Sequence, residues 1–353
     1  MAFFRSTKSF WPQGRELYIA LALIGVIAAT CYFNICFMCD KVEQQAMAAA
    51  SGPPIFNTDT ASIDIQQIFA GGPPKDGIPA LTDPAMLSAV KASFMEADDR
   101  VVGVNFDGEA RAYPLKILQW HEIVNAKTGE TSYSVVYCPL CDSTSVFNRR
   151  VGDEEFEFGV SGLLYQSNVL LYDRQAQPDQ ESLWSQMQGE AVAGKRTGQQ
   201  LSLLPHQLVT WQEWTDAYPD TQVLSNKTGH GREYKGNIYQ GYFDGDNLMF
   251  PINHLDKRLP MKQPVLGLFS NGASKAYPLA LMKKGFEISD EVGGESVTLK
   301  KLGGDRVWVE AGPTVEIVHS FWFAWSSFYP ETQIYDGSAI QLAGSKSQTK
   351  DTE

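Results

Sequence analysis

One pattern occurs twice in this chain, and it constrains the fold more than any other feature. Residues 101–118 read VVGVNFDGEARAYPLKIL and residues 265–282 read VLGLFSNGASKAYPLALM. Each is an apolar strand, a glycine-containing turn, a second strand ending in Ala-Tyr-Pro-Leu, and the start of a helix. A second pair follows in the same order: WQEWTDAYPDTQVL at 211–224 and WFAWSSFYPETQIY at 322–335. Two like units are therefore expected. Their landmarks are spaced differently, with 101 residues from Tyr113 to Trp214 but 48 from Tyr277 to Trp325. The first unit carries about 53 additional residues, and most of the unusual polar chemistry falls inside them.

The alternation of Thr131–Tyr137 and of Glu155–Val160 predicts strands. Trp211–Tyr218 reads as a helix with Thr210 as N-cap and a stop at Pro219, mirrored by Trp322–Tyr329. Abundant Trp, Tyr and Phe suit β-sheet faces. The expected fold is α+β and β-rich, with antiparallel sheets, short helices and an internally duplicated unit.

Leu17 to Cys39 is uncharged and would span roughly 35 Å as a helix, enough to cross a bilayer. Arg5, Lys8 and Arg15 precede it, while Asp40 and Glu43 follow with Lys41. This asymmetry predicts a single-pass anchor in an inner or plasma membrane, with a cytoplasmic N-terminus and the main domain periplasmic or extracellular. The apolar run is long for a cleaved signal, and no small-x-small site follows it closely. Cys31, Cys36 and Cys39 read as apolar filler in that helix. The expected organisation is a cytoplasmic segment at 1–16, the anchor at 17–39, a linker at 40–62 and a domain with the site at 63–260. A second, shorter unit follows at 261–340, and a tail at 341–353. The chain carries a net charge of −12, and its first 16 residues are locally basic. So acidic a body argues against nucleic acid as a partner.

Tyr137-Cys138-Pro139-Leu140-Cys141 is the sharpest local signal. A CxxC pair can close a small disulfide or grip a metal. Across the membrane, Cys138 and Cys141 have only each other as intrachain partners outside the anchor. So short a loop contributes little closure entropy, which weighs against a purely stabilising role. His121 could activate a thiol, or join the pair as a Cys₂His site for copper or zinc with Glu122 or water as fourth ligand. Candidate catalytic residues are thus Cys138, Cys141, His121 and Glu122. Asn125, Ser161, Asn168, Asp173, Arg174, Trp184 and Gln186 are candidate supporting or pocket residues. No phosphate loop, nucleophile elbow or HExxH helix occurs.

His121-Glu122-Ile123-Val124-Asn125, Tyr137-Cys138-Pro139-Leu140-Cys141-Asp142-Ser143, Gly159-Val160-Ser161-Gly162, Tyr172-Asp173-Arg174 and Trp184-Ser185-Gln186 with Gly189-Glu190-Ala191 together resemble the DUF3179 family, over roughly residues 95–260. The resemblance implies no established activity. Some members look to be selenoproteins, which implies that a cysteine of the pair is chemically active. Where the family often shows Pro before the Tyr of a later motif, this chain has Asn237-Ile238-Tyr239.

Three readings follow. The first is a thiol oxidoreductase in which one cysteine attacks a disulfide or peroxide and the other resolves the intermediate, with His121 moving the proton and Glu122 or Asp173 orienting it. It needs no cofactor and calls for a redox partner protein. The second is a copper or zinc module built on Cys138, Cys141 and His121. The third is a binding or assembly protein with a structural disulfide.

Overall fold

The computed structural model describes residues 56–301 and 307–337. The expected N-terminal segment, anchor and C-terminal tail lie outside the described residues. Among the described residues, no helix is long and apolar enough to cross a membrane. The chain from Pro54 onward is one compact unit, and the boundary expected near residue 260 falls inside it.

The architecture is β-rich, with mostly antiparallel sheets and short helices. The two related segments fold alike. In the first, strand Arg100–Phe106 lies between Gln207–Thr210 and Glu109–Pro114, both antiparallel to it, and Gln222–Leu224 adds in parallel beside Glu109–Pro114. In the second, Pro264–Ser270 lies between Glu316–Phe321 and Ala273–Pro278, and Gln333–Ile334 adds in parallel.

Each unit closes on one tryptophan. The helix Trp211–Ala217 presses Trp214 onto Gly103, and Trp322–Phe328 presses Trp325 onto Gly267. A Cβ at either glycine would overlap the indole, so the close approach requires glycine. Each indole donates to a threonine past the helix: Trp214 Nε1 to Thr221 Oγ1 at 2.8 Å, and Trp325 Nε1 to Thr332 Oγ1 at 3.0 Å. Thr210 opens its helix with a reciprocal capping box to Glu213.

The insertions differ. The second unit holds a three-stranded meander, Phe286–Val292, Glu295–Lys301 and Trp308–Ala311. The first holds helix Leu115–His121, the hairpins of Ile123–Thr128, Thr131–Cys138 and Ser143–Asn148, and four strands of a five-stranded sheet whose edge strand, Ile68–Ala70, precedes the unit. The central strands of that sheet are Phe158–Tyr165, Asn168–Asp173 and Ser182–Ser185. The strand expected over Glu155–Val160 is divided. Glu154–Glu155 pairs with Arg150–Val151, whereas Phe158 opens the pairing with Asp173, because the chain changes sheets there.

An eight-stranded sheet joins the halves through a bridge from His319 to Thr144, between the last hairpin strand of the first insertion and Glu316–Phe321. The expected linker ends earlier than residue 62. Phe56 is buried against Tyr172, with ring centroids 5.6 Å apart, and Thr60 and Ser62 bond to Gly194 and Val192.

Candidate active site: a buried dithiol

Strand Thr131–Cys138 has every residue after Thr131 buried, and it delivers Cys138 to the end of a hairpin. Pro139-Leu140-Cys141-Asp142 turns the chain back into Ser143–Asn148, with Cys138 paired to Ser143. A hairpin turn, not a helix, therefore carries the pair. The Cys141 N–H donates to Cys138 O at 3.2 Å, and Asp142 takes a left-handed conformation at φ 47°. Both cysteines are free thiols, 1% and 0% exposed.

Three parts of the fold hold this turn. Arg100, at the start of the first unit, forks onto Asp142 with two bonds of 2.9 Å. Tyr137 Oη adds a third bond to Asp142 at 3.0 Å. From the second unit, Phe321 N–H donates to Cys141 O at 2.8 Å. Beneath the pair lies a buried amide network. Asn168 Nδ2 donates to Gln186 Oε1 at 2.6 Å and to Ser143 Oγ at 3.1 Å, and Ser143 Oγ donates to Gln186 Oε1 at 2.7 Å.

The two thiols are unequal. Burial works against ionisation of Cys138. It is outweighed by hydrogen bonds from the Cys141 thiol and from the backbone N–H groups of Cys141, Val169 and Leu140, so the Cys138 pKa falls below its usual value. Burial, and then the bond and negative charge of Cys138, push the Cys141 thiol well up. Cys141 Sγ also lies 3.2 Å from Ser167 O. The two environments thus act in opposite directions: that of Cys138 favours ionisation and that of Cys141 opposes it.

Glu122 follows helix Leu115–His121 in a left-handed conformation, φ 56°. Such a conformation is costly for a side-chain-bearing residue and is found where geometry matters. Its carboxyl is buried, the residue being 8% exposed, and no hydrogen bond or ion pair engages it among the described residues. Burial, and then the charge of Cys138, raise its pKa to about 8. A carboxyl that keeps its proton at neutral pH therefore stands within electrostatic reach of Cys138.

His121 occupies a different place. Its Nδ1 lies 2.7 Å from Pro79 O and its Nε2 2.7 Å from Tyr234 Oη. Nδ1 carries the proton, because a carbonyl can only accept, and Tyr234 donates to Nε2. Burial holds the imidazole neutral, its pKa lowered. The expected partnership of His121 with the thiols is absent: both ring nitrogens are committed elsewhere. Among the described residues no cluster of three or more His, Cys, Asp or Glu could hold a metal ion. The Cys₂His arrangement for copper or zinc therefore has no counterpart here.

The other sequence candidates divide. Asn168 and Gln186 belong to the network under the thiols. Asn125 clamps two sheets, accepting from Ser134 Oγ at 2.6 Å and Phe158 N–H at 3.0 Å while donating to Phe158 O at 2.8 Å. Ser161 satisfies a bulge through Leu170 O and Leu163 N–H. Asp173 is fully buried and accepts from Ser182 N–H, Trp184 Nε1 and Arg196 Nε. Arg174 pairs with Asp76 at the surface. Asn125, Ser161, Asp173, Arg174 and Trp184 are thus framework.

Sequence reasoning missed the roof. Residues 237–252 cross over the pair, where Phe243, Leu248, Phe250 and Ile252 pack against the cluster that contains both thiols. Lys262 Nζ caps the short helix Gln240–Asp244 through Tyr242 O and Gly245 O and lies 3.6 Å from the Tyr242 ring centroid. Burial, and then the charges of Glu122 and Cys138, push Tyr239 up to about 12. Burial and the charges of Cys141 and Cys138 raise Tyr242 further. The Tyr242 hydroxyl is buried without a hydrogen-bond partner. The roof lies about a hundred residues from the cysteines, and only the family comparison pointed at Tyr239. A cleft of about 560 Å³ opens beside it, lined in part by Tyr137, Asp142, Gln240, Phe243 and Phe321.

Fold and site together define a β-rich protein built around a buried, asymmetric dithiol. The chain belongs to the DUF3179 family, described as proteins of unknown function, whose model matches residues 75–312. The match extends beyond the motif-bearing stretch on both sides and takes in the first hairpin and the meander of the second unit, ending before strand Glu316–Phe321. Comparison with curated proteins and with solved structures gives no match.

Proposed function

We propose that this protein is a thiol oxidoreductase that cycles Cys138 and Cys141 between dithiol and disulfide, tethered by residues 17–39 on the oxidising side of a membrane. The observation that carries the reading is the asymmetry of the pair: one sulfur receives hydrogen bonds that favour the thiolate, and its neighbour keeps its proton. A staple needs no such difference.

In the reaction, Cys138 thiolate attacks one atom of a weak S–S or O–O bond in a substrate, and the other atom leaves with the electron pair. Cys141 then loses its proton and attacks Cys138 Sγ, forming the intramolecular disulfide and releasing the fragment that Cys138 captured. The substrate gains two electrons and the dithiol loses them. An external dithiol restores the pair by exchange. Glu122 replaces His121 as the group that manages the proton, since its carboxyl is free and the imidazole is not.

Equilibration of the full-length protein in graded thiol–disulfide buffers tests this. One intramolecular disulfide per chain is expected, with a potential above about −300 mV, the upper edge of the structural range. A pair that stays reduced throughout, or a disulfide below that range, would overturn the reading.

A further inference from the structure

The oxidoreductase reading leaves the substrate open, and the roof bears on it. Attack on a protein disulfide requires a sulfur that a folded partner can reach. Cys138 and Cys141 are sealed beneath residues 237–252, and Ser167 Oγ pins the roof through Phe250 O at 2.8 Å. Phe243 and Phe321, with ring centroids 5.0 Å apart, line the cleft and also belong to the cluster around the thiols. These two rings form a layer between the cleft and the cluster that holds the sulfurs. A molecule of a few atoms passes such a layer by side-chain motion; a polypeptide loop does not.

Two protic groups lie beside the pair: the carboxyl of Glu122, a residue 8% exposed, and the Tyr242 hydroxyl, which is buried with no acceptor for its proton. An unsatisfied buried polar group costs about 1–3 kcal/mol and calls for an explanation. Both are proton donors at neutral pH, and both lie within electrostatic reach of Cys138. Cleavage of an O–O bond needs this arrangement, because hydroxide or alkoxide is a poor leaving group unless protonated as it departs. A departing thiolate needs it far less.

Resting on the oxidoreductase reading, we infer that the substrate is a small hydroperoxide, reduced beneath the roof by Cys138 with Glu122 and Tyr242 as proton donors. Cys138 thiolate attacks the distal oxygen of ROOH, an S–O bond forms, the O–O bond breaks, and RO⁻ takes a proton and leaves as ROH. The Cys141 sulfur then attacks the sulfenic acid, the S–S bond forms, and water departs with the Cys141 proton. Two electrons pass from the dithiol to the peroxide, and a small-molecule dithiol that enters by the same route re-reduces the pair by exchange.

Reduced full-length protein, mixed separately with hydrogen peroxide, oxidised glutathione and a protein disulfide, tests the inference by free-thiol counting and intact mass. Hydrogen peroxide is expected to form the Cys138–Cys141 disulfide at least roughly tenfold faster than either disulfide, with Glu122→Gln slowing that step about 100-fold. Cys141→Ser is expected to stop at a Cys138 sulfenic acid, one oxygen heavier and trapped by a sulfenic-acid reagent. Faster reaction with the disulfides would overturn the hydroperoxide inference and leave the oxidoreductase reading standing. No reaction with any of the three would overturn both. Wild-type rates in Glu122→Gln would remove Glu122 from the mechanism, and Tyr242→Phe repeats that test at the second donor.

Discussion

The two like units share a frame and differ in what they hold. Aligned on their strands, Arg100 of the first corresponds to Pro264 of the second, and Thr210 corresponds to Phe321. In the first unit Thr210 caps its helix, whereas the second makes no side-chain cap. Phe321 instead gives its N–H to Cys141 O and its ring to the cluster around the thiols. The tyrosine of Ala-Tyr-Pro also diverges. Tyr113 lies 2.7 Å from Tyr133 of the first insertion, and Tyr277 donates to Asp290 of the second at 2.9 Å. The additional residues of the first unit carry the thiols, yet the second unit supplies one wall of the site. A repeated frame tolerates divergence wherever its own Trp–Gly–Thr closure is untouched.

That comparison can be broken in several places. Arg100→Met strips Asp142 of its fork while the carboxylate stays buried, and a loss of about 3–5 kcal/mol is expected in denaturant unfolding. Pro264, its counterpart, bears no such charge, so Pro264→Ala is expected to cost much less. Equal losses would deny the difference between the units.

Glu122 has no equivalent in the second unit, and its effect appears with pH. Folded, it holds its proton to about pH 8, whereas the unfolded carboxyl ionises near its ordinary value of 4.5. Between these values the native state binds the additional proton, so stability falls as pH rises, by up to about 1.4 kcal/mol per unit. Glu122→Gln is expected to flatten this slope, and a slope unchanged by the substitution would show that another group causes it.

Gly103→Ala and Gly267→Ala address what the units share. Each sets a methyl against an indole, and losses of about 1–3 kcal/mol of similar size are expected in both. The smallest effects are expected from Thr221→Val and Thr332→Val, about 1–2 kcal/mol each, because each leaves a buried indole N–H unpaired. A marked inequality within either pair would mean that the frame is not equivalent in the two halves.

Much of the frame was legible because it is local. Strand alternation, the Thr210 cap, the halt at Pro219 and the repeated Ala-Tyr-Pro-Leu all act within a few residues of one another. The cysteine pair was equally plain at one turn. His121 was misleading: beside Glu122 in sequence, it faces the opposite way, because the left-handed turn at Glu122 sends the two side chains to different neighbours. Asp173 and Trp184 looked like site residues and proved to be bonded to each other.

The sequence by itself determined the β-rich repeated frame, the CxxC pair and the family, since these depend on periodicity and short spacing. Tertiary structure alone decided which cysteine ionises more readily, that Glu122 and not His121 stands free beside it, and that residues 237–252 roof the pair. Those are matters of desolvation and of hydrogen bonds between residues up to about a hundred positions apart, and no local pattern encodes them.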